Sequence, residues 1–318
     1  MGNSPDIELR DRISGILVGL GLTEIITYSF VSPDSADMLG CGAGSPLRSF
    51  VEILNPLTVD QSVMRTSLVP GLLTAVRNNL SHEEKGLKFF EWGKVFFQKE
   101  AGRQPDEKIS VAGVMAGTYR AKAWYCEERP VDFFDIKGAV ETLLKGLGLE
   151  QVDFRKDAER EGYDAAVSCR ILSAGSLLGQ AGRVSSEAMR AWDMDRQDAY
   201  VFELDVAALA GCVPGTRRFR PFSRFPAVYR DISLLVDRGI ESAGIMDLIR
   251  EKGGDLVESV QLFDLYEGDK LAPGEKALAF RICYRSKHGT LDGETVNRLH
   301  ESIIERIRKQ TGGRLREG

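Results

Sequence analysis

Apolar residues recur at helical spacing near the start of the chain. Leu9, Ile13, Ile16, Leu17 and Leu20 fall on one stripe, and Gly21 follows where a left-handed cap would sit. Residues 24–31 (EIITYSFV) are rich in β-branched and aromatic side chains and stop at Ser32-Pro33, which predicts one strand closed by a turn. A second helix is expected over 66–80, where hydroxyl residues precede Pro70 and Leu72, Leu73, Val76 and Leu80 share a face. Residues 88–98 (KFFEWGKVFFQ) and 109–118 (ISVAGVMAGT) read as adjacent antiparallel strands. Phe134, Ile136, Val140, Leu143, Leu144 and Leu147 mark a third helix capped by Gly148, and short strands then lead to YVFELD at 200–205. Helices and strands mix without a strict β-α-β rhythm, which predicts an α+β sheet core flanked by helices and not a doubly wound parallel sheet.

Between Gly211 and Arg224 the sequence GCVPGTRRFRPFSR breaks regular structure, so a linker is expected at 211–223, between domains at 1–210 and 224–318. Beyond it the pattern reads strand (228–236), helix (242–252), strand (256–264), turn-rich loop, strand (277–285), long helix (292–310) and a short strand near Arg314-Leu315. That β-α-β-β-α-β order is ferredoxin-like. Period-two alternation turns Ile232, Leu234, Phe280 and Ile282 toward the helices. It leaves Asp231, Ser233, Ser259, Gln261, Arg281 and Arg285 on an open face.

Composition narrows the class. With 318 residues, 43% hydrophobic and 28% charged, the chain can bury a sizeable core. No apolar run is long enough for a bilayer, and the opening MGNSPDIELRDR lacks the basic-then-apolar order of a signal peptide, so no membrane partner and a cytoplasmic location are expected. Cys41, Cys126, Cys169, Cys212 and Cys283 show no metal-ligand spacing, nor do His82, His288 and His300, and no metal site is expected. Net charge is -5, but from Arg217 onward nineteen Lys and Arg face sixteen Asp and Glu, giving +3 there and -8 in the remainder. A polyanion would be met by the second half. Gly19-Leu20-Gly21-Leu22 ends a helix and does not follow a strand, so it caps and does not cradle phosphate.

Several motifs in order carry a resemblance. NPL at 55–57, MRTSL at 64–68, PGLL at 70–73 and FEWGKVF at 90–96, then FPAVYRDI at 225–232, LFDLYEG at 262–268 and Thr290-Leu291 before Val296-Asn297, are similar to the C-terminal part of the bacterial phenylalanyl-tRNA synthetase β-chain family. The resemblance implies a class II-like core without catalytic residues, followed by a ferredoxin-fold anticodon-binding domain. It also implies a heterotetramer of two α and two β chains that joins phenylalanine to tRNA(Phe). The α subunit does the chemistry, so this chain alone should be inactive and bind no cofactor, while the holoenzyme uses ATP and Mg2+. Phe89 stands where a class II site would need an arginine two residues before Glu91, and residues 201–209 contain no second arginine clamp.

By the same resemblance, Leu9, Ile13, Ile16, Leu20 and Tyr28 belong to the subunit interface, with the α chain and a second β chain as partners. Arg217, Arg218, Arg220 and Arg224, beside Phe219, Phe222 and Phe225, together with Arg281, Arg285 and Lys287, are the expected tRNA-binding set. The family's N-terminal tRNA-binding module and editing domain are not seen, and a shortened chain is expected. Two rival readings are a self-contained adenylate-forming ligase and a protein-interaction module that binds no RNA.

Overall fold

The computed structural model describes residues 5–82, 84–100, 103–157, 161–215, 223–269 and 271–316. The chain divides into two compact units, Met1–Arg217 and Arg218–Gly318. In the first, the order is α1 (Pro5–Gly19), β1 (Thr23–Glu24), β2 (Phe30–Val31), α2 (Ser35–Met38), β3 (Val51–Glu52), β4 (Val63–Met64), α3 (Val69–Leu80), β5 (Gly86–Phe97) and β6 (Asp106–Arg120). There follow β7 (Arg129–Pro130), α4 (Phe133–Leu147), β8 (Asp153–Lys156), β9 (Tyr163–Ser173), β10 (Ser176–Val184), α5 (Ser186–Ala191), β11 (Ala199–Asp205) and α6 (Val206–Cys212).

The main sheet has the order β1-β5-β6-β11-β10-β9-β8, with β7 beside β6. Its one parallel pair among the described residues is β1 with β5, and the other pairs are antiparallel. Alternation along the strands feeds two cores. On one side Phe90, Val111, Phe202 and Leu204 meet Leu9, Ile13 and Leu17 of α1 and Ile136, Val140, Leu143 and Leu144 of α4. On the other, Leu87, Val95, Val114 and Val201 meet Leu72, Leu73 and Val76 of α3. Each such side chain taken out of water contributes about 1.5–3 kcal/mol. The expected α+β core is therefore present, its helices held by the stripes read from the sequence.

Two local expectations fail. Residues 24–31 do not form one strand: β1 joins the main sheet beside β5, whereas β2 pairs with β4 in a separate β2-β4-β3 sheet. Thr27 interrupts the run because Glu91 on β5 captures both its amide (3.2 Å) and its hydroxyl (2.7 Å). Phe134 is also off its expected stripe and 74% exposed. It lies in the first turn of α4, where Asp132 caps the Phe134 and Asp135 amides, and Arg129 ion-pairs with both Asp132 and Asp135.

Thr27 belongs to a buried polar network. Arg65 donates from Nη1 to Glu91 Oε1 (2.8 Å) and to Thr27 Oγ1 (3.0 Å), and from Nε to the Lys94 carbonyl (2.9 Å). Ser67 Oγ and the Leu68 amide donate to Glu203 on β11 at 2.7 and 2.9 Å. The MRTSL segment is thus fastened to β5 and β11, and α3 starts from it. Gly71 permits the close approach, since a Cβ there would stand 2.3 Å from Thr27 Oγ1.

The second unit contains β12 (Val228–Asp237), α7 (Ser242–Gly253), β13 (Val257–Tyr266), β14 (Glu275–Tyr284), α8 (Gly293–Thr311) and β15 (Arg314–Leu315). Its sheet order is β13-β14-β12-β15, the expected ferredoxin-like arrangement. Ile232, Leu234, Phe280 and Ile282 pack with Ile245 and Ile249 of α7 and Val296, Ile303 and Ile307 of α8. Asp292 caps α8 by accepting from the Thr295 amide and hydroxyl at 2.8 and 2.7 Å.

The Arg65 and Glu91 side chains are 5% and 1% exposed. Replacing Glu91 by Ala strands a buried cation, so Glu91→Ala is expected to lower the stability of the first unit by about 3–5 kcal/mol. Urea denaturation followed by tryptophan fluorescence checks this; an unchanged midpoint would show that the network does not stabilise the unit.

Candidate nucleic-acid interface

In the second unit both helices lie on one face of the sheet, and the other face carries polar and aromatic side chains. Its centre is a cross-strand pair. Asp231 on β12 lies opposite Arg281 on β14, and Gln261 on β13 lies opposite Arg281 from the other side. Arg281 donates to Asp231 through two nitrogens, Nε to Oδ1 at 2.8 Å and Nη2 to Oδ2 at 2.7 Å. The guanidinium holds the Asp231 carboxyl below its ordinary range.

Aromatic side chains border this pair. Tyr229, two residues before Asp231 on the same face, is 56% exposed. Phe263 has its ring centroid 5.2 Å from the Arg281 guanidinium carbon. It sits where the β13-β14 register slips between Leu262 and Asp264, so a bulge inserts an extra residue there. Toward β15, Arg316 stacks over Tyr266 at 5.3 Å and Arg314 ion-pairs with Glu275 at 3.0 Å. Alternation alone would have found Tyr229; the bulge that accompanies Phe263 has no signature in the period-two pattern.

A basic group forms at the end of β14. Arg285 pairs with Glu258 at 3.1 Å, while Lys287 and His288 are exposed on the following loop. Ser223 donates to the Ser286 carbonyl at 2.8 Å and fastens the segment bearing exposed Arg224 to that loop. Glu258 also accepts from Cys283 Sγ at 3.1 Å, and burial, reinforced by that carboxylate, pushes the Cys283 thiol up. Arg224, Arg285 and Lys287 thus share one end of the sheet, and Arg281 lies about 13 Å along the strand from Arg285. Arg217, Arg218 and Arg220 lie outside the described residues.

The expected subunit-interface residues separate. Leu9 and Ile13, 9% and 0% exposed, are used in the core of their own unit against α4 and are not available to a partner. Ile16 and Leu20 are half-buried against the same core, whereas Tyr28 is 77% exposed. Ile26, Phe30, Leu54, Leu57 and Val59, on β2 and the segments flanking the small sheet, are exposed as well.

Glu91 and Glu203, in the two stretches that the resemblance sets against class II motifs, are occupied by Arg65 and Thr27 and by Ser67 and Leu68 respectively. Among the described residues no cluster of three His, Cys, Asp or Glu side chains forms a metal site, and no helix is long and apolar enough to cross a membrane.

Comparison with known proteins accounts for both units. Residues 1–206 match the family described as the phenylalanyl tRNA synthetase beta chain CLM domain, and residues 223–316 match the ferredoxin-fold anticodon binding domain. A phenylalanine–tRNA ligase beta subunit of Syntrophus aciditrophicus is 38% identical over 308 residues, covering 97% of this chain and 38% of the relative. One from Carboxydothermus hydrogenoformans is 33% identical over 315 residues, covering 99% and 39%. The chain thus spans less than two-fifths of the length of these relatives. Among solved structures, a pyrrolysyl tRNA synthetase of Desulfitobacterium hafniense aligns with a TM-score of 0.50 at 14% identity, over 64% of this chain and 67% of that one. The last likeness is one of fold.

The Asp231–Arg281 geometry makes a direct prediction. Asp231 should titrate below the ordinary carboxylate value of 3.8, and Arg281→Gln should move it back up. A depressed folded value means that the pair's stabilisation is present at neutral pH and is lost as pH falls through the folded value. Carboxyl carbon NMR shifts of the two proteins against pH read the difference; identical titrations would show that the pair is not formed in solution.

Proposed function

The chain belongs to the phenylalanyl-tRNA synthetase beta-chain family, and on that premise we propose that it forms the non-catalytic β-subunit region of a cytoplasmic phenylalanine–tRNA ligase. Residues 1–210 would scaffold the catalytic α subunit and a second β chain, and 224–318, beyond the 211–223 linker, would hold tRNA(Phe) during aminoacylation. ATP and Mg2+ would be used by the assembled enzyme, at the partner chain. The observation that carries the reading is the open sheet face of the second unit, where exposed Tyr229 and Phe263 stand beside arginine and a basic loop. Aromatic rings on a sheet accept unpaired bases by stacking, and the flanking cations meet the backbone.

Inactivity of the isolated chain is supported by what Glu91 and Glu203 do. Both carboxylates are committed to internal donors, so neither is placed to act on a substrate. The scaffold role is supported by Tyr28 with Ile26, Leu54 and Leu57, large side chains left in solvent around the small sheet. Because Leu9 and Ile13 are internal, the proposed subunit contact moves from the helix α1 stripe to this surface. For tRNA, Arg224, Arg285 and Lys287 form a proposed backbone contact, with Arg217, Arg218 and Arg220 as further candidates.

Co-expression with the cognate α chain, light scattering on the eluted complex and phenylalanine-dependent ATP–pyrophosphate exchange test the reading. Co-elution is expected, with exchange only when α is present; exchange by this chain alone would overturn it. In the same complex, Arg285→Ala with Lys287→Ala should weaken tRNA binding and lower the slope of log affinity against log salt by about 1 for each phosphate no longer neutralised. An unchanged slope would show that neither side chain meets the RNA backbone.

A further inference from the structure

We propose that Tyr284, His300 and Arg230 form a proton-sensitive latch, which holds helix α8 and the loop before it against the sheet of the second unit at neutral pH and loosens them in acid. All three belong to the helix-covered side of that sheet, apart from its open face.

Register and helix packing bring the three together. Tyr284 ends β14 opposite Val228 of β12 and Val257 of β13, and it is fully buried. His300 lies within α8 and is half-buried. The tyrosine hydroxyl stands 3.0 Å from His300 Nδ1, and the two rings meet edge to face with their centroids 6.0 Å apart. Arg230 on β12 reaches the same helix. Its Nε and Nη2 donate to Asn297 Oδ1 at 3.3 and 3.1 Å, and its Nη1 donates to the Tyr229 carbonyl at 3.0 Å. Asn297 precedes His300 by about one helical turn, so the guanidinium is held beside the imidazole. Among the described residues Arg230 has no carboxylate partner. The Tyr284–His300 contact thereby closes the base of the loop that carries Lys287 and His288, together with the first turns of α8.

One proton changes what this arrangement allows. A neutral imidazole accepts at Nδ1 while the tyrosine donates, whereas an imidazolium can only donate. Protonation would therefore turn the buried hydroxyl proton away from His300, and the hydroxyl has no other hydrogen-bond partner among the described residues. It would also set a second positive charge beside Arg230 in a half-buried place. Burial, reinforced by Arg230, holds the imidazole below its ordinary value of 6.5, and the exposed Glu301 beside it opposes the shift. Burial pushes the Tyr284 phenol up to about 12, so it keeps its proton throughout. From α7, Glu251 pairs with Arg306 at 3.7 Å, more than a turn farther along α8. Because the folded value lies below the unfolded one, the latch contributes fully above pH 6.5. That contribution is lost as pH falls from 6.5 through the folded value. With one proton involved, the equilibrium for releasing α8 rises by at most about tenfold per pH unit in that window.

The test uses the full chain. Only three histidines occur, His82, His288 and His300, so carbon labelling of their rings gives a resolved NMR titration, and His300→Gln identifies the His300 signal by its loss. That signal is expected to titrate below 6.5. Arg230→Gln, which keeps a donor for Asn297 and removes the charge, should move it upward. Amide hydrogen exchange at pH 7.5 and 5.5, corrected for the intrinsic effect of pH, reads the latch itself. Protection over residues 284–300 should fall in acid by up to about tenfold in the parent. His300→Gln, whose amide accepts from Tyr284 but does not titrate, should keep its protection at both values. Tyr284→Phe should be less protected than the parent already at pH 7.5.

A His300 midpoint at or above 6.5 would overturn the latch, as would equal protection of residues 284–300 in the parent at the two pH values. An acid loss of protection that His300→Gln shares would overturn it too, since other groups would then be responsible. Unchanged protection in Tyr284→Phe would remove the hydroxyl from the device and the latch with it. If His300→Gln does not fold, Arg230→Gln takes its place: an acid loss smaller than the parent's supports the latch, and an equal one rejects it.

Discussion

The buried ion pair between Arg65 and Glu91 is the constraint on which the first unit is arranged. Two charges removed from water are tolerated only when their remaining hydrogen-bonding positions are also filled. Here Thr27, the Lys94 carbonyl and the Thr27 amide fill them. Arg65 lies in the MRTSL segment, Glu91 and Lys94 on β5 and Thr27 after β1, so satisfying the two charges joins these three stretches of chain. Glu203 extends the same logic to β11. The position of α3 over the sheet follows, since Leu68 is tied down immediately before the helix begins. On the strands of this sheet the carboxylates of Glu91 and Glu203 are internal acceptors.

That network also explains which parts of the fold were legible in the sequence. The stripes of α1, α3 and α4 and the ferredoxin-like order depend on local periodicity, and apart from Phe134 they appear where the pattern predicted them. The break inside residues 24–31 depends on Glu91, 64 residues away along the chain. No periodicity within EIITYSFV carries that information. Leu9 and Ile13 present a different ambiguity. An apolar stripe states that a face is covered but not by what, and α4 covers it inside the same unit. Phe134 fits the stripe by spacing alone, while its place in the first turn of α4 turns it outward.

The candidate site divides in the same manner. Alternation correctly separated Ile232, Leu234, Phe280 and Ile282 from Asp231 and Arg281, because period two is a property of the strand itself. Phe263 escaped it because a bulge suspends that period for one residue. Counting arginines also misled in one respect. As bare sequence, Arg281 and Arg285 are equivalent cations on one strand. In the structure each faces a carboxylate, Asp231 and Glu258, and the exposed cations nearby are Lys287 and Arg224.

Charge that is cancelled locally acts at short range, and charge left open acts at long range. An exposed lysine on a loop draws a polyanion from a distance and loses hold as salt rises, without regard to sequence. An Arg–Asp pair has almost no field beyond contact, yet at contact it presents a fixed order of donors and acceptors. The two kinds of group lie at different places on the same sheet, the open cations at the end of β14 and the cancelled pair near its middle. On such a face the long reach of the open cations and the short range of the cancelled pair are separate properties, held by different residues, so a change in one leaves the other in place.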